Sequence, residues 1–297
     1  MDVNGKGQGQ VSAFGLALAG FALLPVGDAI VKSMASEWPG TAIAALRYFF
    51  GALAIAALLA VREGRAGFVC PRPWIQLGRA AGVSVSAAAF FAGVQIMPLA
   101  EMTAISFTSP IIVAILSAQF LGEPTRRAVW VATGVAFAGM LILLRPDIGK
   151  IGWAGVLPLI SAAGFAVMIL FNRMAAGHGS ALQMQMLITA LALPLLAGIA
   201  LAGHMSGIRR LLVTAPDWTV ALRCAVIAVT ASVSHTCLYM ATERATAAAI
   251  GPVVYVQLLV ALVLGMFFFG DQPDSVGLGG AALIIAAGLY LWRAGSS

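Results

Sequence analysis

Of 297 residues, 61% are hydrophobic and only 9% are charged, against about 25% charge in an ordinary soluble domain. That balance excludes a water-soluble globular chain, and the apolar runs leave no stretch between them long enough for a soluble domain. The formal net charge of +6 does not point to nucleic acid, because Lys and Arg are spread over short loops rather than gathered in a patch.

Runs of roughly 20 apolar residues, each long enough to cross a ~30 Å hydrocarbon core as a helix, recur along the whole chain. They predict an all-α integral membrane protein with ten spans, at about 11–33, 40–61, 74–96, 100–121, 127–145, 151–172, 181–203, 218–241, 246–269 and 275–293. The first span is too long for the apolar region of a cleaved signal peptide and is expected to stay in the mature chain. With the N-terminus inside, Lys6, Arg62, Arg65, Arg72, Arg126, Arg127, Arg173, Arg244 and Arg293 face the cytoplasm. Arg145, Lys150, Arg209 and Arg210 fall in or beside the opposite loops. This asymmetry favours both termini in the cytoplasm, with the acidic loop "GDQPDS", Gly270 to Ser275, outside. All six Trp lie at or near predicted span ends, as interfacial aromatics do. Cys70, Cys224 and Cys237 are scattered, without CxxC spacing, and read as structural thiols; no metal or cofactor site is indicated.

In chain order, helix 1 carries "LLPVGDAIVKSM", in which Pro25 and Gly27 should loosen the helix just before Asp28, and Lys32 follows one turn later. Arg47, descending on helix 2 from Thr41, reaches roughly 9 Å below the outer boundary at 1.5 Å per residue. Charged groups this deep should face a partner or water, because exposure to lipid at the bilayer centre costs about 2.5 to 3.5 kcal/mol. Three readings of Asp28, Lys32 and Arg47 stay open: a structural tie or outer gate, direct substrate contact, and a proton site at Asp28. On helix 3, Gly78 and Gly82 form a GxxxG that allows close helix approach, while Arg79 near the inner end and Arg223 near the outer end of helix 8 are expected to snorkel.

Helix 4, "EMTAISFTSPIIVAILSAQF", lines up Thr103, Ser106 and Ser109, and Pro110 leaves the carbonyl of Ser106 without its helical partner. Such hydroxyls either bond their own backbone or line a cavity. Helix 8 carries Ser232, Ser234 and His235, the last a side chain that titrates near neutral pH. On helix 9, Gly251 and Pro252 interrupt the run, and Tyr255 and Gln257 follow at mid-depth. Candidate substrate-binding residues are therefore Ser86, Ser106, Ser109, Ser234, His235, Tyr255 and Gln257, and the gating or ion cluster is Asp28, Lys32 and Arg47.

Shifted by 148 residues, Ser84, Ser86, Phe120, Gly122 and Arg145 fall on Ser232, Ser234, Phe268, Gly270 and Arg293, and Glu123 falls on Asp271. An offset of 140 pairs Gly15, Met34 and Ala35 with Gly155, Met174 and Ala175. The chain is thus expected to hold two units, 11–145 and 151–293, and five spans each would insert them in opposite orientations, as inverted repeats of secondary transporters do. Met168 and Asn172 stand where the first unit has Asp28 and Lys32.

"FLGEPTRRAVWVATGVAFAGMLILLRP", Phe120 to Pro146, resembles the end of an EamA domain of the drug/metabolite transporter superfamily, and "FFFGDQPDSVGLGGAALIIAAGLYLWR", Phe267 to Arg293, resembles a second copy. "ALRYFFGALAIAALL", Ala45 to Leu59, is similar to the family's second helix with its arginine at Arg47, and Lys32 matches a basic residue ending the first. Among relatives, aromatic amino acid exporters of the YddG type are the most similar in general character. The resemblance implies ten helices in two inverted units and export of small amphipathic metabolites, amino acids among them, across the bacterial inner membrane by alternating access. The expected partners are that small-molecule substrate and the lipid bilayer, without nucleic acid; a monomer is one possible state, and the sequence does not set it. An intramembrane enzyme is the rival reading, but the chain has neither GxSxG nor HExxH. Ser234 and His235, adjacent on a helix, point about 100° apart, poor geometry for activating a nucleophile. A channel or receptor is the third reading.

Overall fold

In the computed structural model, residues 3–34, 37–96, 99–123, 125–146, 152–264, 266–267 and 274–296 are described. Lys150, Ala35, Phe268, Gly270 and Asp271, and with them most of the acidic loop, lie outside the described residues. The described chain is helical, with ten helices long and apolar enough to cross a membrane. They are α1 (Val3–Ser33), α2 (Gly40–Arg62), α3 (Pro73–Ile96), α4 (Leu99–Ser106 and Ser109–Leu121) and α5 (Arg127–Leu144). The rest are α6 (Val156–Ala175), α7 (Ala181–Met205), α8 (Trp218–Arg244), α9 (Ala247–Ile250, Gly251–Tyr255 and Val256–Leu264) and α10 (Ser275–Ser296). Ten consecutive crossings bring the start of α1 and the end of α10 to one side, here the terminal face; the other is the distal face.

Two of these helices are broken where proline leaves the backbone ladder incomplete. In α4 the chain turns at Phe107 and Thr108, and a new helix starts with Pro110 in its first turn. In α9, Gly251 and Pro252 open a short 3₁₀ segment that runs to Tyr255. Helix α1, by contrast, continues through Pro25, so the expected loosening before Asp28 does not occur. Its glycines instead let α1 lie close against α8: a Cβ on Gly20 would stand 2.9 Å from the Ser234 carbonyl oxygen, and one on Gly27 would touch Ile227 and Thr230.

The principal packing partners are α3 with α6, α1 with α8, α5 with α10 and α2 with α7. Between bilayer helices there is no water to expel, so close backbone approach and van der Waals contact carry the association. Gly82 of the GxxxG supplies one such approach, since a Cβ there would lie 2.8 Å from the Met168 amide nitrogen and 2.9 Å from the Gly164 carbonyl. Gly139 and Gly280 do the same between α5 and α10, each leaving no space for a Cβ beside the other's carbonyl. Trp74, Trp130, Trp153, Trp218 and Trp292 are exposed near span ends. Trp38 is not: it is buried, and its indole N–H donates to the Thr214 carbonyl at 3.0 Å, joining the loop before α2 to the loop before α8.

Candidate functional site

A cavity of about 130 Å³ opens between α1, α2, α3, α4, α6, α8 and α9, at mid-depth and toward the distal face. The break in α4 presents Ser106 and Ser109 to it, and the break in α9 is followed by Gln257. Irregular backbone at membrane depth is tolerated where it borders a polar cavity. Asp28 and Arg47 form the distal part of the wall and lie close enough for their charges to interact. Ser86, with its hydroxyl 3.3 Å from that of Ser161, and His235 complete the polar lining. Phe90, Phe91, Phe107 and Phe165 supply an aromatic counterpart.

The Arg47 guanidinium stacks 5.1 Å above the Phe91 ring and 5.1 Å from that of Tyr48, a cation–π arrangement that helps to hold a charge whose nearby carboxylate, Asp28, acts on it without a direct ion pair among the described residues. Among the described residues the Arg47 Nε is buried with no hydrogen-bond partner, and so are Ser106 Oγ and His235 Nδ1. Buried polar atoms are nearly always paired, and these three all belong to residues that line the one cavity.

The structure therefore brings Asp28, Arg47, Ser86, Ser106, Ser109, His235 and Gln257 together. It does not bring in Ser234, Tyr255 or Lys32. Ser234 is fully buried and donates its hydroxyl to the Gly20 carbonyl at 2.7 Å, fastening α8 to α1. The Tyr255 hydroxyl donates to the Phe107 carbonyl at 3.0 Å, satisfying backbone left over at the α4 break, and its ring packs on that of Phe107. Lys32 is exposed, one turn beyond the cavity wall. Ser161 and Phe165 on α6 line the cavity without having been singled out in the sequence, where a lone serine and a phenylalanine in an apolar run carry no signal.

A second polar constellation closes the terminal face. Arg79 does not snorkel: it is 1% exposed. Its Nε donates to Asn172 Oδ1 at 2.7 Å, and one terminal nitrogen donates to Gln76 Oε1 at 2.6 Å and to the Met184 carbonyl at 3.1 Å. The guanidinium lies 5.1 Å from the centre of the Tyr239 ring, whose hydroxyl donates to the Ala175 carbonyl at 3.0 Å. Helices α3, α6, α7 and α8 are thus tied together. Nearby, Arg173 donates to Glu123 at 2.7 Å and to the Thr242 carbonyl at 3.0 Å. On the distal face Arg223 pairs with Glu37 instead of reaching alone toward the membrane surface.

Comparison with known proteins gives this geometry a family context. The EamA-like transporter family matches residues 11–145 and again 152–293. A riboflavin transporter of Rhizobium johnstonii is 30% identical over 95% of this chain and 91% of its own length. An S-adenosylmethionine uptake transporter of Rickettsia bellii is 24% identical, with 92% of each chain covered, and a pseudopaline exporter of Pseudomonas aeruginosa is 26% identical, with 90% of each covered. A solved crystal structure at 18% identity superposes with a TM-score of 0.77 over 94% of this chain and 96% of that one, a likeness of fold. Aromatic amino acid exporters are not among these relatives.

Proposed function

Because the chain belongs to the EamA-like transporter family, a multi-pass membrane family whose relatives here carry names of transporters rather than enzymes, we propose that it exports small amphipathic metabolites across the bacterial inner membrane by alternating access. Amino acids, aromatic ones included, are the substrate class, and both termini lie in the cytoplasm. The observation that carries this reading is the set of unpaired polar atoms on Arg47, Ser106 and His235 beside four phenylalanines on one cavity. A guanidinium holds a carboxylate through charge-assisted bonds, Ser106 and Gln257 can bond an ammonium group, and the phenylalanines accept a flat ring. At about 130 Å³ the cavity is smaller than the roughly 300 Å³ and upward typical of ligand pockets, so substrate enters as the helices part. We read Asp28 as the charge that sets Arg47 in place and as the group with which a proton would be exchanged.

The inverted repeat is part of the same proposal. Phe107 and Tyr255, 148 residues apart, hold each other, as mates on a two-fold axis would. The pairing of α3 with α6 and of α8 with α1 is one contact seen twice under that symmetry.

A second reading is supported by the named relatives: uptake of a flat heteroaromatic solute such as riboflavin. Counterflow into proteoliposomes separates the two, with phenylalanine, tryptophan, riboflavin and S-adenosylmethionine as probes, with and without a pH gradient. Saturable phenylalanine or tryptophan counterflow that falls at least about tenfold in Arg47→Gln, the loss of one charge-assisted contact, is expected. Movement of riboflavin alone would replace the amino acid reading. Conductance in planar bilayers without saturable counterflow would remove the carrier itself.

A further inference from the structure

Arg79 has a property that a packing role does not need. Its hydrogen-bond partners among the described residues are neutral: two carboxamides, a backbone carbonyl and the Met184 sulfur. Burying a guanidinium without a counter-charge costs several kcal/mol even when its donors are satisfied. An apolar side chain of similar volume packs between helices without that cost, and such replacements are often neutral or stabilising. Neutral partners have a second consequence, because a carboxylate ligand would lock the network shut, whereas amide contacts can be exchanged.

The position of Arg79 links it to the cavity. His235 lines the cavity and, with Arg47, a small side pocket between α2, α7 and α8; the charges of both Arg47 and Arg79 bear on it. Tyr239, whose ring lies beneath Arg79, is one turn further along α8, about 6 Å toward the terminal face. One face of α8 therefore runs from the first buried guanidinium to the second.

Resting on the functional reading above, we propose that Arg79 is a second recognition site for the carboxylate of the substrate, sealed in this conformation, which takes over that group from Arg47 as the terminal face opens. When α7 separates from α3 and α6, which stay packed through Gly78 and Gly82, the Met184 carbonyl and sulfur leave the guanidinium. A carboxylate arriving along α8 replaces them with paired N–H···O bonds and supplies the missing counter-charge. Arg47 then selects the substrate from the distal side, and Arg79 draws its anionic end toward the terminal side.

The test is face-resolved counterflow of phenylalanine in proteoliposomes of uniform orientation, with KM measured from each face. Arg79→Gln is expected to raise KM from the terminal face at least about tenfold while KM from the distal face stays within about twofold, and Arg79→Lys to recover part of the loss. Equal changes from both faces, or a change in maximal rate alone, would make Arg79 a structural tie and overturn the proposal while leaving the transporter reading intact. If the wild-type protein moves no phenylalanine, the amino acid reading fails first. If Arg79→Gln does not fold, Arg47→Gln answers the question, because it leaves Arg79 in place. Benzoate applied at the terminal face should then inhibit residual counterflow at least about tenfold better than benzamide. Equal inhibition would overturn the proposal.

Discussion

The two faces of the helix bundle are closed by different chemistry. On the terminal face four helices converge on a guanidinium that is 1% exposed, and the neighbouring Arg173–Glu123 pair has side chains only 28% and 18% exposed. On the distal face Arg223 and Glu37 are 27% and 41% exposed, and Arg145 and Asp274 are 51% and 56% exposed. Attraction between charges grows as the surrounding dielectric falls, and exposed pairs contribute about 1 kcal/mol or less. The terminal contacts are thus the more deeply buried and the more strongly held of the two sets. The two guanidinium groups of that face differ in turn, since Arg173 is held by a carboxylate and Arg79 by neutral acceptors.

The largest expected effect comes from breaking the terminal network at Asn172. Asn172→Leu keeps the branching of the side chain, adds some bulk, and strips Arg79 Nε of its 2.7 Å acceptor in a place that water does not reach. Leaving a buried charged donor unpaired costs about 2 kcal/mol or more. The thermal unfolding midpoint in detergent should fall clearly. An unchanged midpoint would mean that this face is held by packing alone.

A matched pair of charge removals sharpens the contrast. Glu123→Gln takes the charge from the half-buried terminal pair and should cost about 1 kcal/mol, since Arg173 keeps neutral acceptors, the new amide oxygen and the Thr242 carbonyl. Glu37→Gln, at the distal face, should cost about 0.5 kcal/mol or less, and the difference should vanish in high salt, where exposed charges are screened. Unfolding midpoints of both variants at low and high salt give the comparison. A larger effect at Glu37 than at Glu123 would reverse the assignment of the stronger closure.

The residues most legible in the sequence were those whose chemistry is costly in lipid. Apolar runs gave the ten spans, and Pro110 and Pro252 marked the two broken helices, although a missing N–H is not sufficient, since α1 and α7 run on through Pro25 and Pro194. Asp28, Arg47, His235 and Gln257 stood out as polar groups at membrane depth, and the cavity gathers all four. Less legible was which neighbour a hydroxyl would choose. Ser234 and Ser86 occupy matching positions, yet one is committed to the Gly20 carbonyl and the other faces the cavity. Close approach alone does not decide it, because Gly164 of α6 stands as near the Ser86 backbone as Gly20 of α1 does to that of Ser234; Ser86 meets the Ser161 hydroxyl instead. Arg79 was misread because one turn from a span end usually lets a long side chain reach the surface. Gln76 one turn before it, and Asn172 in an otherwise apolar stretch, are the polar residues that foreshadow its burial.

The smallest effect belongs to the most exposed contact, where Asp274 caps α10 and holds Arg145 beyond the end of α5. Its carboxylate accepts from the Gly277 backbone N–H at 2.8 Å and from Arg145 at 2.7 Å. These contacts, the backbone bond first, hold its pKa below the ordinary 3.8. A depressed carboxylate pKa means that the ionised form is favoured by folding, so the contribution is fully present above 3.8 and fades as pH falls through the lower folded value. Between pH 5 and pH 3 the wild-type protein should lose a little thermal stability that Asp274→Asn has already lost at pH 5, and the loss should be smaller than that from Glu37→Gln at low salt. Helix N-caps tolerate asparagine about as well as aspartate, so the variant isolates the charge from the cap. A pH profile identical in the two proteins would show that the Arg145–Asp274 contact, despite its short bonds, adds nothing to the closure of the distal face.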